Sequence, residues 1–125
     1  MIVMDASAVL ASILGEPGAE LVDRQLRQAA VTTVNLAEIL SRMAARGDSP
    51  RAVHEDLEEA GVLFVNVDVE LATVAAELFA ATRPAGMSVG DRTCIALAMR
   101  LDCPAMTADR RWQAASLTVP IMYIR

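Results

Sequence analysis

The chain has 125 residues, the length of one ordinary domain able to bury a sizeable core, and 54% of them are hydrophobic. Its longest charge-free stretch, Trp112 to Ile124, is 13 residues with Pro120 inside it, too short to cross a bilayer as a helix. The net charge of -5 argues against broad non-specific nucleic-acid binding while leaving a locally basic groove open, and the absence of any lysine, with His54 the sole histidine, removes Schiff-base and P-loop lysine chemistry.

No basic segment precedes an apolar run at Met1 to Asp5, so a cytoplasmic protein without membrane association is expected. Cys94 and Cys103 lack a C-x-x-C or His/Cys context and read as reduced structural thiols. Residues 1–125 are read as a single domain.

Ile2-Val3-Met4 reads as a buried strand ending at Asp5, followed by a helix over Ala6 to Leu14 that Gly15 stops. Pro17 suits the first turn of a helix running to about Gln28, with Val22 and Leu26 inward. Val31-Thr32-Thr33 predicts a brief strand, and a helix follows from about Leu36 to Arg46, closed by Gly47. Ser49-Pro50 starts the next helix, stopped at Gly61, and Val62 to Val67 is the next strand. Val69 to Thr82 reads as a helix apolar almost all round, buried in the monomer or at a subunit interface. Ser88 opens a helix through about Leu101, and Pro104–Thr107 and Ile121–Ile124 are the last strands. This alternation predicts an α/β fold with a parallel sheet covered on both faces.

Ligands of open parallel sheets bind beyond the carboxyl ends of the strands. Asp5 and Asp109 follow strands there, and Glu38 and Asp91 lie near the starts of their helices. Clustered carboxylates raise each other's pKa unless a cation neutralises them, and the matching occupant is a hard divalent ion such as Mg²⁺ or Mn²⁺, suited to phosphoryl chemistry. A second reading stands beside this one. Ser88 to Asp91 and Asn35 to Glu38 both fit capping boxes, and Asp109 fits a turn start, so the acids also read as unrelated helix caps. Asp5 is the hardest to explain that way, because aspartate is poorly suited to strands.

The opening Ile-Val-Met-Asp5-Ala-Ser7-Ala, the run Asn35-Leu-Ala-Glu38-Ile-Leu, the segment Ser88-Val-Gly-Asp91-Arg92-Thr-Cys and the late Met106-Thr107-Ala-Asp109-Arg-Arg-Trp112 together resemble the signature regions of PIN-domain ribonucleases, and more narrowly of VapC toxins of bacterial toxin-antitoxin pairs. The resemblance covers nearly the whole chain. It implies a PIN-like three-layer α/β/α sandwich and makes Asp5, Glu38, Asp91 and Asp109 the catalytic and metal-binding quartet, supported by the hydroxyls of Ser7 and Thr107. It also implies Mg²⁺- or Mn²⁺-dependent endonucleolytic RNA cleavage by water, leaving a 5′-phosphate and a 3′-hydroxyl. The implied partners are a VapB-type antitoxin that blocks the site and a second copy of the chain in a homodimer.

Arg92, Arg110 and Arg111 adjoin two of the acids and are candidate RNA phosphate contacts; for Arg92 a salt bridge orienting a carboxylate is an equal reading. Trp112 is expected to pack the last helix onto the sheet, and His54 to be a solvated surface residue. A haloacid-dehalogenase-type phosphatase would need a second aspartate where Ser7 stands, together with a lysine. The alternative outside enzymes is a catalytically inert PIN-like RNA- or protein-binding module, whose mark is loss of the acids; all four are present.

Overall fold

A computed structural model describes residues 1–125. Strand β1 (Ile2–Met4) leads into Asp5, whose carboxylate accepts the Ala8 N–H and caps helix α1 (Ala6–Leu14). Gly15, at φ 66°, ends that helix in the left-handed conformation that suits glycine. After the short helix α2 (Ala19–Asp23) and a 3₁₀ turn at Leu26–Gln28 come β2 (Ala29–Thr32) and α3 (Thr33–Ala45). Helix α4 (Pro50–Glu59) starts on Ser49 and Pro50 and precedes β3 (Leu63–Val65). Helices α5 (Val69–Glu77), α6 (Phe79–Thr82) and α7 (Val89–Leu101) lead to β4 (Ala105–Thr107), a 3₁₀ turn at Arg110–Ala114 and β5 (Ile121–Tyr123).

The five strands form one parallel sheet in the order β3-β2-β1-β4-β5. Side chains alternate across it. Ile2, Met4, Val31 and Met106 join a core with Val9, Val22, Ile39 and Leu57, so α1 to α4 cover one face. Val3, Ala30 and Ala105 join the other core with Leu71, Ala75, Ile95, Leu97 and Trp112, from α5, α7 and the last 3₁₀ turn. Both faces are thus dry, and the fold is a three-layer α/β/α sandwich. Each fully buried side chain such as Ile95 or Leu97 contributes about 1.5–3 kcal/mol of burial free energy.

Several elements differ from the sequence expectation. The helix expected from Pro17 to Gln28 is reduced to Ala19–Asp23 with a separate 3₁₀ turn after it; its start is set by the N-cap Gly18 at φ 96°, packed so tightly on Ile124 that a side chain there would overlap it. Helix α3 begins at Thr33, three residues before the expected Leu36. Thr32 both ends β2, paired with Val65, and caps the helix through the Asn35 N–H. The apolar stretch from Val69 is split between α5 and α6 and is buried on one side only: Leu71 and Ala75 lie in the second core and Thr82 is buried, whereas Val69 is 84% exposed and Phe79 55%. Trp112 is fully buried in the second core, His54 pairs with Glu58 at 2.9 Å on the surface of α4, and both cysteines are free thiols. No helix is long and apolar enough to cross a membrane.

Candidate active site

From β1 the chain moves outward to β2 and β3, then returns to β4 on the other side of β1. The carboxyl ends of β1 and β4 therefore flank the topological switch point, where open parallel sheets place their ligands. Asp5 stands there, 2% exposed. It receives three hydrogen bonds: from the Ala8 N–H at 2.9 Å, the Ser7 hydroxyl at 2.8 Å and the Thr107 hydroxyl at 2.6 Å. Each hydroxyl in turn accepts a backbone N–H, Ala108 on Ser7 at 2.9 Å and Asp109 on Thr107 at 3.0 Å. Both hydroxyl protons are thereby committed to Asp5. Burial nevertheless outweighs these bonds and pushes the Asp5 carboxyl up to about 6, with the Asp91 charge adding to the rise.

Asp91 occupies the third position of α7 and forms a reciprocal capping box: Ser88 Oγ accepts the Asp91 N–H at 3.2 Å, and Asp91 Oδ2 accepts the Ser88 N–H at 3.0 Å. Its pKa is raised by burial first and then by the Asp109 charge, against the lowering effect of the Ser88 hydrogen bonds. Asp109 caps the 3₁₀ turn that contains Trp112 through the Arg111 N–H. The Arg111 guanidinium forks onto the same carboxylate at 3.0 and 2.8 Å, which holds Asp109 below the usual carboxylate range.

Glu38 differs from the other three. Because Thr32 is the cap of α3, Glu38 lies in the second turn, and the capping box read from Asn35 to Glu38 does not form. The helix has no need of it, and it is exposed without a salt bridge. Burial of its carboxyl end and then the Asp91 charge raise its pKa, while the Asn35 amide lowers it. Asp91 is thus the electrostatic hub, felt by Asp5 on one side and Glu38 on the other.

The three arginines near these acids are engaged differently. Arg92 donates to the Ala75 carbonyl at 3.0 Å and lies over the Phe79 ring, and no carboxylate pairs with it. Arg110 donates to the Arg125 carbonyl and stacks on Tyr123. Arg111 is exposed and clamps Asp109. Two residues outside the expected set join the group. Asn35 is wholly buried with its Nδ2 on the Gly90 carbonyl at 3.3 Å, and Gly90 lies directly under the Glu38 carboxylate. The signal for Asn35 is its spacing, three residues before Glu38 on one helix face.

No three His, Cys, Asp or Glu side chains close into a cage. The donor set still fits Mg²⁺ or Mn²⁺, hard ions that bind oxygen and keep several waters while taking one or two carboxylates directly. The carboxyls of Asp5, Glu38 and Asp91 are all raised, and the adjacent guanidinium of Arg111 is spent on Asp109. A cluster so disposed gains from a further cation.

A parallel α/β sandwich of this kind hosts many activities, so what marks this one is the acidic residues at its switch point. The sequence profile of the PIN domain matches residues 2–116, and the chain belongs to the PIN domain family. Solved structures similar to it include the sarcin-ricin loop cleaving toxin VapC20 of Mycobacterium tuberculosis, at 18% identity and TM-score 0.72 over 94% of this chain and 97% of that one. FitAcB of Neisseria gonorrhoeae matches at 18% identity and TM-score 0.69 over 99% and 98%. VapBC2 of Rickettsia felis, bound to a promoter DNA fragment, matches at 14% identity and TM-score 0.68 over 97% of both chains. No curated protein matches by sequence.

Proposed function

We propose that this chain is a Mg²⁺- or Mn²⁺-dependent endoribonuclease of the VapC type, the toxin of a toxin-antitoxin pair, with Asp5, Glu38, Asp91 and Asp109 holding the ion. The observation that carries this reading is a group of raised carboxyls at the switch point: burial, and to a smaller extent the neighbouring charge of Asp91 or Asp109, lifts Asp5, Glu38 and Asp91. A divalent ion bound there supplies positive charge to a phosphate oxygen and acidifies a water. Asp5 is presented in one orientation by Ser7 and Thr107, and Asp91 by the capping box. Arg111, exposed and paired only with Asp109, is able to exchange that carboxylate for a substrate phosphate. Arg42, one turn beyond Glu38 on α3, is exposed and has no acidic partner, so it suits a flanking phosphate. Arg92 and Arg110 border the same edge of the fold.

Structures similar to this chain include a toxin-antitoxin complex from Klebsiella pneumoniae and the VapBC2 assembly, which supports a VapB-type antitoxin as partner in the cytoplasm. A basic side chain of that partner meets the same carboxylates as the ion. The exposed apolar residues Val69 and Phe79 support a homodimer.

The test is cleavage of total cellular RNA by purified, antitoxin-free protein with Mg²⁺ or Mn²⁺. Discrete fragments carrying 5′-phosphates, lost with chelator and with Asp91→Asn, are expected. Intact RNA across all pools with a protein that binds no divalent ion would sink the reading and favour the inert binding module.

A further inference from the structure

Glu38 is a long, exposed side chain with no ion pair, and such a side chain loses rotamer freedom when it is held in one place. Yet its carboxylate is held against the first turn of α7. A Cβ added at Gly90 would overlap Glu38 Oε1 and stand 2.9 Å from its Cδ, and 3.3 Å from Asn35 Nδ2. Only a residue without a side chain lets the carboxylate rest there, where the helix dipole also favours negative charge.

Behind it lies a buried polar strut between α3 and α7. Thr93 Oγ1 donates to the Gly90 carbonyl at 2.7 Å, and Asn35 Nδ2 donates to the same carbonyl at 3.3 Å. Thr32 Oγ1 accepts the Asn35 N–H at 3.0 Å and stands 3.2 Å from Thr93 Oγ1. With the Thr93 proton given to Gly90, the Thr32 hydroxyl is the donor between the two threonines, so every member is oriented. Asn35 Oδ1 has no donor. A fully buried amide that leaves one of its own atoms unpaired is a poor choice for packing alone; what it contributes is an N–H side turned towards Gly90 and the Glu38 carboxylate.

Building on the proposed carboxylate site, we infer that Asn35 and Gly90 form the seat that fixes the Glu38 carboxylate beside Asp91, which makes Asn35 a positioning residue for the divalent cation. Thr32 and Thr93 hold the two helices at the spacing the seat requires.

The experiment is calorimetric titration of Mn²⁺ into the metal-free full chain, with a melting curve for each protein: wild type, Glu38→Ala, Gly90→Ala, Asn35→Leu and the double variant Gly90→Ala/Glu38→Ala. Gly90→Ala should melt near the wild-type temperature, because alanine favours a helix, the overlapping carboxylate is flexible and the Asn35 amide, 3.3 Å from the new Cβ, has only to give slightly. It should bind Mn²⁺ about tenfold or more weakly, as loss of an orienting group does. Asn35→Leu should weaken binding similarly, and the double variant should bind no more weakly than Glu38→Ala alone, since Gly90 acts through Glu38. Near-wild-type affinity in folded Gly90→Ala overturns the seat while leaving the carboxylate site standing, provided Glu38→Ala is weak. A Gly90→Ala loss that adds in full to that of Glu38→Ala also overturns it. Absence of Mn²⁺ binding in the wild type, or indifference to Glu38→Ala, removes the site and the seat together. If Asn35→Leu does not fold, Gly90→Ala decides.

Discussion

Asp5 and Asp109 follow adjacent strands, and the Thr107 hydroxyl touches both, donating to the first and accepting from the backbone of the second. Their ionisation is nevertheless pushed in opposite directions. Asp5 has three hydrogen bonds and no cation, and burial lifts it to about 6; Asp109 is partly exposed and forked by Arg111, which holds it below the usual range. The contrast shows what a carboxylate at a sheet edge needs. Hydrogen bonds orient it, but without a nearby positive charge they do not offset desolvation. Arg111 supplies that charge on one side of the site, and no side-chain cation supplies it at Asp5 on the other.

The sharpest way to break this comparison is Asp5→Asn. Cleavage should fall by about a thousandfold or more, on the order expected when a metal-binding and charge-stabilising group is lost. The metal-free protein should become more stable at pH 7. The folded pKa of Asp5, about 6, lies above its ordinary 3.8, so its contribution to stability is complete below 3.8 and is lost as pH rises through 6. Two units correspond to about 3 kcal/mol as an upper bound. Thermal melts at pH 7 and pH 4 check the sign, and a gain as large at pH 4 as at pH 7 would contradict it.

Thr107→Val keeps the shape and removes the 2.6 Å bond to Asp5 and the acceptor of the Asp109 N–H. Chemical denaturation should register a loss of about 1–3 kcal/mol, and Mn²⁺ affinity should fall about tenfold or more. The smallest effect on folding is expected from Arg111→Ala. Its pair with Asp109 is exposed, worth under about 1 kcal/mol. The released Asp109 carboxylate should titrate closer to its ordinary value by NMR and raise Mn²⁺ affinity, while RNA affinity falls. Unchanged metal affinity would show that the two halves of the site are electrostatically independent.

Much of the layout was legible from capping and punctuation. Gly15 ends α1, and Ser49 with Pro50 and Ser88 with Asp91 start α4 and α7, much as the sequence reads, whereas Asp5, the acid hardest to read as a cap, is in fact the N-cap of α1 through the Ala8 N–H. The start of α3 was not legible, because Thr32 and Asn35 are both acceptable caps; pairing of Thr32 with Val65 carries β2 far enough to decide between them. The apolar run from Val69 was only partly legible: Leu71 and Ala75 join the second core, but an almost all-round apolar pattern does not show which side faces inward, and Val69 and Phe79 stay exposed. At the candidate site the four acids stand out by their place after strands and at helix starts. Three of them, Asp5, Asp91 and Asp109, also cap helices or turns, so the capping reading holds for these three beside the proposed ion-binding one. Glu38 is the acid that caps nothing. The seat of Asn35 and Gly90 was hidden because it joins residues 55 positions apart.

Trp112 is the only tryptophan in the chain, buried in the second core within the 3₁₀ turn that Asp109 opens. The protein therefore carries its own optical reporter, a single indole in an apolar setting a few residues from the acidic rim. Its emission should be blue-shifted in the folded state and move to the red when that turn loosens, so events at Asp109 and Arg111 can be followed by fluorescence without attaching a dye.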